Sequence, residues 1–297
     1  MALVTLLAPP GADAQRRGRR PQAAAAAEEP SGPQPTVRDV ATIAARLDST
    51  NPDEVREAID LLSVIDHPSV VPHLATLLRS GRGDEVTDRA LTALRGLAHP
   101  SAIEVLTEFT HHRRPRARRL AFQALAAITD RRVPRLLEQG LADSDRNVRA
   151  QCARSLGEIG ATGSVDTLFH AFDRGVVEAA ISIGKLGNRA AVGRFNEHLG
   201  HVPLSVMLSG YSEFVRRGDI PDEVKIEIIG RLGDISGDMV RVFLQRYLDT
   251  FSSGRAAQRD RVRTVVLETL RRIPGHAGSA RGRTVSTDSA DAAGGAE

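Results

Sequence analysis

Apolar residues recur seven times along the chain at the spacing i, i+1, i+4 and i+7. Five sets begin at Ala58, Ala90, Ala121, Cys152 and Ala179, and two looser copies begin at Lys225 and Val266. In the first set, Ala58 is followed by Ile59, Leu62 and Ile65. These positions share one face of an α-helix because about 3.6 residues complete a turn. Successive sets begin 32, 31, 31, 27, 46 and 41 residues apart, which predicts a repeated unit of two helices.

A helix break and a second apolar segment follow the repeated face. After Ile65, the segment Asp66-His67-Pro68-Ser69 interrupts the helix, and Val71 and Leu74 lie on the next one. Proline fits the first turn of a helix, where its missing N–H would have no intrahelical partner. A two-helix unit buries its apolar face only by stacking on its neighbours. The pattern therefore predicts an all-α solenoid without a β-sheet.

Glycines at the ends of the first helices carry a family resemblance. Residues 148–160, which end in Leu156-Gly157-Glu158-Ile159-Gly160, resemble a HEAT repeat of the bilin-lyase-like (PBS lyase HEAT-like) subtype. Residues 183–187 and 229–233 repeat the glycine signature, and the resemblance extends over about residues 37–275. It implies a right-handed α-α superhelix of the armadillo/HEAT type with about six to seven helical hairpins. The family includes scaffolds, adaptors and a few enzymes, so the resemblance implies little about activity.

The widest interval between sets, 46 residues from the fifth to the sixth, predicts one extra helix. It is expected over about residues 203–216, with Met207, Tyr211 and Phe214 on its apolar face. An irregular helix in a solenoid either changes the curvature and borders a partner groove, or merely continues the stack. The second interpretation is favoured.

The two ends of the chain have a different composition. Residues 1–36 contain Pro9-Pro10, four arginines within residues 16–20 and five consecutive alanines from Ala23. Neither this segment nor residues 276–297 shows an apolar periodicity, so both are predicted to be disordered. The solenoid is expected over residues 37–275.

The first fourteen residues leave the location of the protein open. An apolar run at residues 2–8 precedes Ala12-Asp13-Ala14, which has the small-x-small form of a signal-peptidase site. One interpretation is an export signal whose true start lies upstream. The other is a chance alanine-rich terminus from a GC-rich genome. A periplasmic or exported location and a cytoplasmic one therefore both remain. No apolar run reaches the ~18 residues of a membrane span.

Positive charge is concentrated in the third unit. Residues 111–135 contain eight arginines and one acid, Asp130, and so carry +7, whereas the whole chain carries +3. A basic band of this kind suits nucleic-acid phosphate, anionic lipid headgroups or an acidic protein. Nucleic acid is disfavoured because Phe122, the nearby aromatic residue, lies on the core face and cannot stack on bases. The candidate partner-binding residues are Arg113, Arg114, Arg116, Arg119, Arg131 and Arg132.

Two alternatives limit this interpretation of the band. Arg118 aligns with Arg149 of the next unit, which indicates a structural role in the repeat. The band is also open to a purely compositional explanation, since only Lys185 and Lys225 among the 40 basic residues are lysine.

Catalytic and metal-binding motifs are not apparent. Cys152, the one cysteine, takes the position that alanine occupies in four sister repeats, so we expect a buried core residue. No histidine spacing with a carboxylate suits a metal site. The chain also lacks a nucleophile elbow, a phosphate loop and a His-Glu-x-x-His motif. We therefore predict no catalytic residue, no cofactor and no metal.

Two functional classes follow. A non-catalytic scaffold or adaptor that binds a protein partner on the solenoid surface is favoured, because the repeats account for nearly all apolar residues. The alternative, implied by the resemblance, is an enzyme or enzyme subunit related to bilin lyases, or less readily a HEAT-like oxidoreductase. Deoxyhypusine hydroxylases are HEAT-like and use His-Glu dipeptides at a di-iron site, and this chain has none.

Overall fold

The computed structural model describes residues 35–251 and 260–273, and fifteen α-helices account for most of these residues. The first eight are α1 (Val40–Ala45), α2 (Pro52–Ser63), α3 (Val70–Arg79), α4 (Asp84–Leu97), α5 (Ile103–Phe109), α6 (Pro115–Ala127), α7 (Val133–Gly140) and α8 (Arg146–Glu158). The other seven are α9 (Val165–Asp173), α10 (Ala179–Leu186), α11 (Arg189–Asn196), α12 (Leu204–Arg216), α13 (Asp222–Ile235), α14 (Asp238–Leu248) and α15 (Arg261–Arg272). Four 3₁₀ turns lie at Val37–Asp39, Arg46–Asp48, Pro100–Ala102 and Thr162–Ser164.

No β-strand occurs in the two described ranges, so the all-α prediction is confirmed there. None of the helices in these ranges is both long enough and apolar enough to cross a membrane. The predictions of disorder for residues 1–36 and 276–297, and of an export signal, fall outside the described residues apart from Pro35 and Thr36.

Local sequence explains where many helices begin. The Asn51 side chain accepts a hydrogen bond from the backbone N–H of Asp53 at 3.0 Å, and Asp145 accepts from the N–H of Asn147 at 2.8 Å. Such caps satisfy backbone donors that have no partner within the helix. Proline occupies the first turn of α2, α6 and α7, where it costs no hydrogen bond.

Helix pairs stack in one continuous array. The first helices of successive pairs, α2, α4, α6, α8 and α10, each pack against the next, and the second helices α3, α5, α7 and α9 pack against the first helix of the following pair. The predicted apolar face forms the core. In α4, for example, Ala90, Leu91, Leu94 and Leu97 are all buried. Cys152 is fully buried, as predicted.

In the sixth set, the buried face of the helix differs from the predicted apolar face. In α13 the buried side chains are Val224, Ile228, Ile229 and Leu232, whereas Lys225 and Ile226 are only half-buried. The physical reason is the extra helix, which is present as α12 and packs on α10 in the place that α13 would otherwise take.

The contact between α10 and α12 is close because two glycines face each other. A Cβ atom at Gly184 would lie 2.3 Å from the carbonyl oxygen of Gly210, and one at Gly210 would lie 2.8 Å from the carbonyl oxygen of Ala180. The helix α13 approaches the second helix α11 instead, where Asn196 donates a 3.4 Å hydrogen bond to Glu227. The extra helix thus continues the row of first helices.

Candidate partner-binding surfaces

Helix α6 divides the predicted basic band into two groups. Arg113, Arg114, Arg116 and Arg119 surround its N-terminal end, whereas Arg131 and Arg132 follow its C-terminal end. The helix has 13 residues, so its ends are about 20 Å apart at about 1.5 Å per residue. The six arginines therefore lie in two places rather than on one patch.

In the N-terminal group, aspartates of α4 neutralise two of the four charges. The Arg114 Nε lies 3.0 Å from an oxygen of Asp84, and its Nη2 donates to Asp88 at 2.8 Å. The Arg116 Nε lies 2.6 Å from the other oxygen of Asp88. Among the described residues, Arg113 and Arg119 have no carboxylate within 4.0 Å, with Arg113 exposed and Arg119 half-buried.

Arg118 links α6 to the loop between α7 and α8. It forms a two-point ion pair with Asp143, with both N···O distances 2.7 Å and both side chains almost completely buried. The Nη1 of Arg118 donates hydrogen bonds to the backbone carbonyls of His112 and Arg113, six and five residues earlier. Arg149 donates in the same way to the carbonyls of Asp143 and Ser144, also six and five residues earlier. The alignment of these two arginines thus reflects a shared loop-anchoring role.

The electrostatics of this pair follow from burial and hydrogen bonding. Burial raises the pKa of Asp143, but hydrogen bonds from Arg118 and from the Asp145 backbone outweigh it, and the pKa lies below its usual value. The hydrogen bond to Asp143 raises the pKa of Arg118 in turn. Both groups are therefore charged at neutral pH.

The C-terminal group lines a groove between the second helices α5 and α7, with a volume of about 930 Å³. Its polar lining consists of Glu104, Thr107, Glu108 and His111 on one side and Arg131, Arg132, Arg135 and Gln139 on the other. Arg132 donates to both oxygens of Asp130 at 2.9 and 3.0 Å, which lowers the pKa of Asp130 to about 2.

The remaining groove charges differ in whether they have partners. Arg131 and Arg135 are exposed, and no carboxylate of the described chain lies within 4.0 Å of either. Across the groove, Arg79 of α3 binds Glu108 with N···O distances of 3.0 and 2.5 Å. The α7 wall therefore offers guanidinium groups that are still available for a partner.

A second groove, between α12 and α14, was not predicted from the sequence. It has a volume of about 470 Å³ and is lined by Ser205, Leu208, Ser209, Ser212, Val215, Arg216, Asp238, Met239, Val242, Phe243, Arg246 and Tyr247. Met239 and Val242 are 54% and 45% exposed, which is unusual for large apolar side chains. The sequence does contain one indication of this groove, because α14 carries apolar residues on two faces. Met239 and Val242 lie on the exposed face, and Val240 and Leu244 are buried on the opposite one.

Burial shifts the pKa of several ionisable groups in the described ranges. Burial raises the pKa of the Cys152 thiol far above its ordinary value, and raises the pKa of both Tyr211 and Tyr247 to about 12. Burial, together with Arg114 and Arg113, lowers the pKa of His112. In the part of the chain that the structure describes, no three His, Cys, Asp or Glu residues are grouped to hold a metal ion.

Comparison with known proteins adds a family match and several similar structures. The family model for HEAT repeats matches residues 72–145 and 103–182. The complex of CpcE and CpcF of phycocyanin lyase from Nostoc sp. PCC7120 is 16% identical, with 83% of this chain and 98% of that chain covered and a TM-score of 0.43. Human deoxyhypusine hydroxylase is 16% identical over 79% of this chain and 96% of its own, with a TM-score of 0.39.

A designed armadillo repeat protein in complex with the peptide (KR)4 is 13% identical over 78% of this chain and 99% of its own, with a TM-score of 0.37. No curated protein sequence matches the chain. Residues 72–182, which match the HEAT-repeat family model, form stacked helix pairs within an all-α solenoid.

Proposed function

We propose that this chain is a non-catalytic scaffold that binds a protein partner, and that an acidic segment of the partner lies in the groove between α5 and α7. The observation that carries the proposal is the α7 wall, where Arg131 and Arg135 are exposed without a carboxylate partner among the described residues. Arg132 adds a third guanidinium, which is 58% exposed and paired with the neighbouring Asp130.

The chemistry of the groove favours carboxylates over other ligands. Arginine binds carboxylates through two parallel N–H···O bonds. Each exposed ion pair contributes about 0.2–1 kcal/mol, so several contacts are needed for a useful affinity. An extended acidic segment along α7 supplies them, because Arg131 lies two residues before α7 and Arg135 lies in its first turn.

We further propose that the N-terminal group of arginines forms a second, weaker contact with the same partner. Arg113 and Arg119 carry charges without a carboxylate within 4.0 Å in the described ranges. Arg114 and Arg116 contribute less because Asp84 and Asp88 already neutralise them.

The proposed non-catalytic role is supported by the pKa values of three buried groups. A general acid or base works best when its pKa lies near the working pH. The pKa values of Cys152, Tyr211 and Tyr247 are instead raised further above neutral pH, because burial disfavours the charged forms of these side chains.

The proposal is tested with a fluorescein-labelled deca-glutamate peptide and fluorescence anisotropy. We expect the double variant Arg131→Gln/Arg135→Gln to bind about 5- to 10-fold more weakly than the parent, from two lost contacts of about 0.5–0.7 kcal/mol each. The matched control is Arg95→Gln/Arg154→Gln, which removes the same charge from exposed positions on α4 and α8.

The affinity should also fall as salt rises, because exposed charges are screened beyond about 8 Å at physiological ionic strength. A third variant, Arg113→Gln/Arg119→Gln, should lose about 2-fold. Equal losses in the α7 variant and in the α4/α8 control would show only a general charge effect and would refute the groove as the binding site.

A further inference from the structure

The groove between α12 and α14 is formed by two helices whose C-terminal ends lie together. The Tyr247 hydroxyl, in the last turn of α14, donates a 3.1 Å hydrogen bond to the carbonyl of Val215, in the last turn of α12. Both helices line the groove along their whole length. They are therefore parallel, and one face of each, about three turns long, borders the same space.

The floor of this groove is apolar and open to solvent. Leu208 and Phe243 are half-buried, and Met239 and Val242 are about half exposed. The face of a helix that carries large apolar side chains normally packs against a neighbour. Here no described helix covers it, so its apolar side chains are accessible to a partner.

Charges at the two ends of the groove have opposite sign. Arg216 and Arg246 lie at the C-terminal ends of α12 and α14, and within the described ranges neither has a carboxylate within 4.0 Å. Asp238 lies at the other end, in the first turn of α14. The groove is thus positive at one end, apolar in the middle and negative at the other end.

We infer that this groove binds an amphipathic helix of a partner protein, about three turns long and antiparallel to α12 and α14. The N-terminal end of that helix would lie between Arg216 and Arg246, and carboxylates in its first turn would pair with them. Acidic residues stabilise the first turn of a helix and basic residues the last, so the charge order of the groove matches the usual order along a helix. Apolar residues spaced i, i+3, i+4 and i+7 would fill the middle.

The chain's own terminal segments fit this site poorly by sequence. Residues 2–8 are apolar but include no acid for the arginines, and Pro9 and Pro10 directly after them would end a helix there. Residues 274–297 include one large apolar residue, Val285. The charge and apolar pattern of the groove therefore favours a separate protein as the occupant.

The test uses two synthetic helical peptides of 14 residues, each closed by an i, i+4 side-chain lactam so that their helicities match. Both have the same leucine face; one has two glutamates in the first turn and two lysines in the last, and the other has these charges reversed. We expect the full-length protein to bind the first peptide about 10-fold more tightly in fluorescence anisotropy. The variant Arg216→Gln/Arg246→Gln should lose most of this preference.

The apolar contact is tested by Val242→Asp, which should weaken binding of the first peptide at least 10-fold. Val64→Asp is the matched control, because Val64 is 59% exposed at the end of α2, away from the groove. Equal effects of these two variants, equal binding of the two peptides, or no binding below about 1 mM would overturn the inference.

One further outcome identifies another occupant. If the parent self-associates in sedimentation equilibrium and Val242→Asp is monomeric, the groove holds a second copy and the inference is wrong. The inference does not depend on the acidic segment proposed for the α5/α7 groove. Arg131→Gln/Arg135→Gln should leave binding of the first peptide unchanged, so that failure of either proposal is recognised separately.

Discussion

Replacing Gly184 with alanine tests the close approach of α10 and α12. The added Cβ would lie 2.3 Å from the carbonyl oxygen of Gly210 and 2.8 Å from the Cβ of Glu213. An ordinary contact needs about 3.4 Å, so the two helices must separate by about 1 Å. The backbone oxygen cannot rotate away as a flexible side chain could.

The expected loss of stability combines two opposing effects. Overpacking of this kind costs about 1–3 kcal/mol, and a contact with backbone belongs at the upper end of that range. Alanine is better than glycine within a helix by about 1 kcal/mol. The net loss is therefore about 2 kcal/mol, or about 4–8 °C in melting temperature for a domain of this size.

Gly230 supplies a control from the same sequence motif. It occupies the same position in residues 229–233 as Gly184 does in residues 183–187. A Cβ at Gly230 would have no atom within 4 Å. Gly230→Ala should therefore keep only the helix-propensity gain and raise the melting temperature by about 2–4 °C.

Tyrosine fluorescence is the appropriate assay, alongside circular dichroism at 222 nm. Repeat arrays can unfold in parts, and the chain has no tryptophan and two tyrosines, Tyr211 on α12 and Tyr247 on α14. Both are buried, so their emission reports unfolding near the altered contact. A Gly184→Ala melting temperature equal to or above that of the parent would refute the argument from close approach, as would a destabilised Gly230→Ala.

Substitutions at two other residues test buried interactions. Asp143→Asn should cost about 3 kcal/mol at pH 7, because it leaves Arg118 buried without its counter-charge. Because the folded-state pKa of Asp143 is lowered, this contribution is complete above the unfolded pKa of about 4 and is lost as the pH falls through the folded value. The difference between variant and parent in urea unfolding should therefore shrink below about pH 4, and a pH-independent difference would contradict it. Cys152→Ala should change stability by less than about 1 kcal/mol, whereas Cys152→Arg should prevent folding because it buries an unpaired charge; loss of partner binding by a stably folded Cys152→Ala variant would show that the thiol has more than a packing role.

The helical fold was predictable because burial and helical period act on the same positions. A face that recurs every 3.6 residues must be covered, and Ala90, Leu91 and Leu94 are indeed completely buried. The extra helix was predictable for a similar reason. An interval of 46 residues leaves room for one helix more than the usual two, and α12 begins at Leu204, one residue from the expected start.

Which arginines of the band form ion pairs was not predictable from the local sequence. Asp84 and Asp88, which neutralise Arg114 and Arg116, lie 26 to 30 residues earlier in the chain and become neighbours only when α4 and α6 stack. A signal for such pairs exists at the repeat length. Arg79 with Glu108 and Arg89 with Asp60 are each 29 residues apart, so opposite charges one period apart are candidates for pairing in a solenoid.

The groove between α12 and α14 follows physically from the single extra helix. In an array of helix pairs, one added helix exchanges the roles of all helices after it, so α14 rather than α13 comes to lie beside α12. Helix α14 comes directly after α13, whose sequence carries the first-helix signature, so α14 has the sequence of a second helix. It buries Val240 and Leu244 on one face. It meets α12 at its C-terminal end through Tyr247, without a glycine contact like that between Gly184 and Gly210. The two helices therefore remain apart along their length, and the exposed Met239 and Val242 are the consequence.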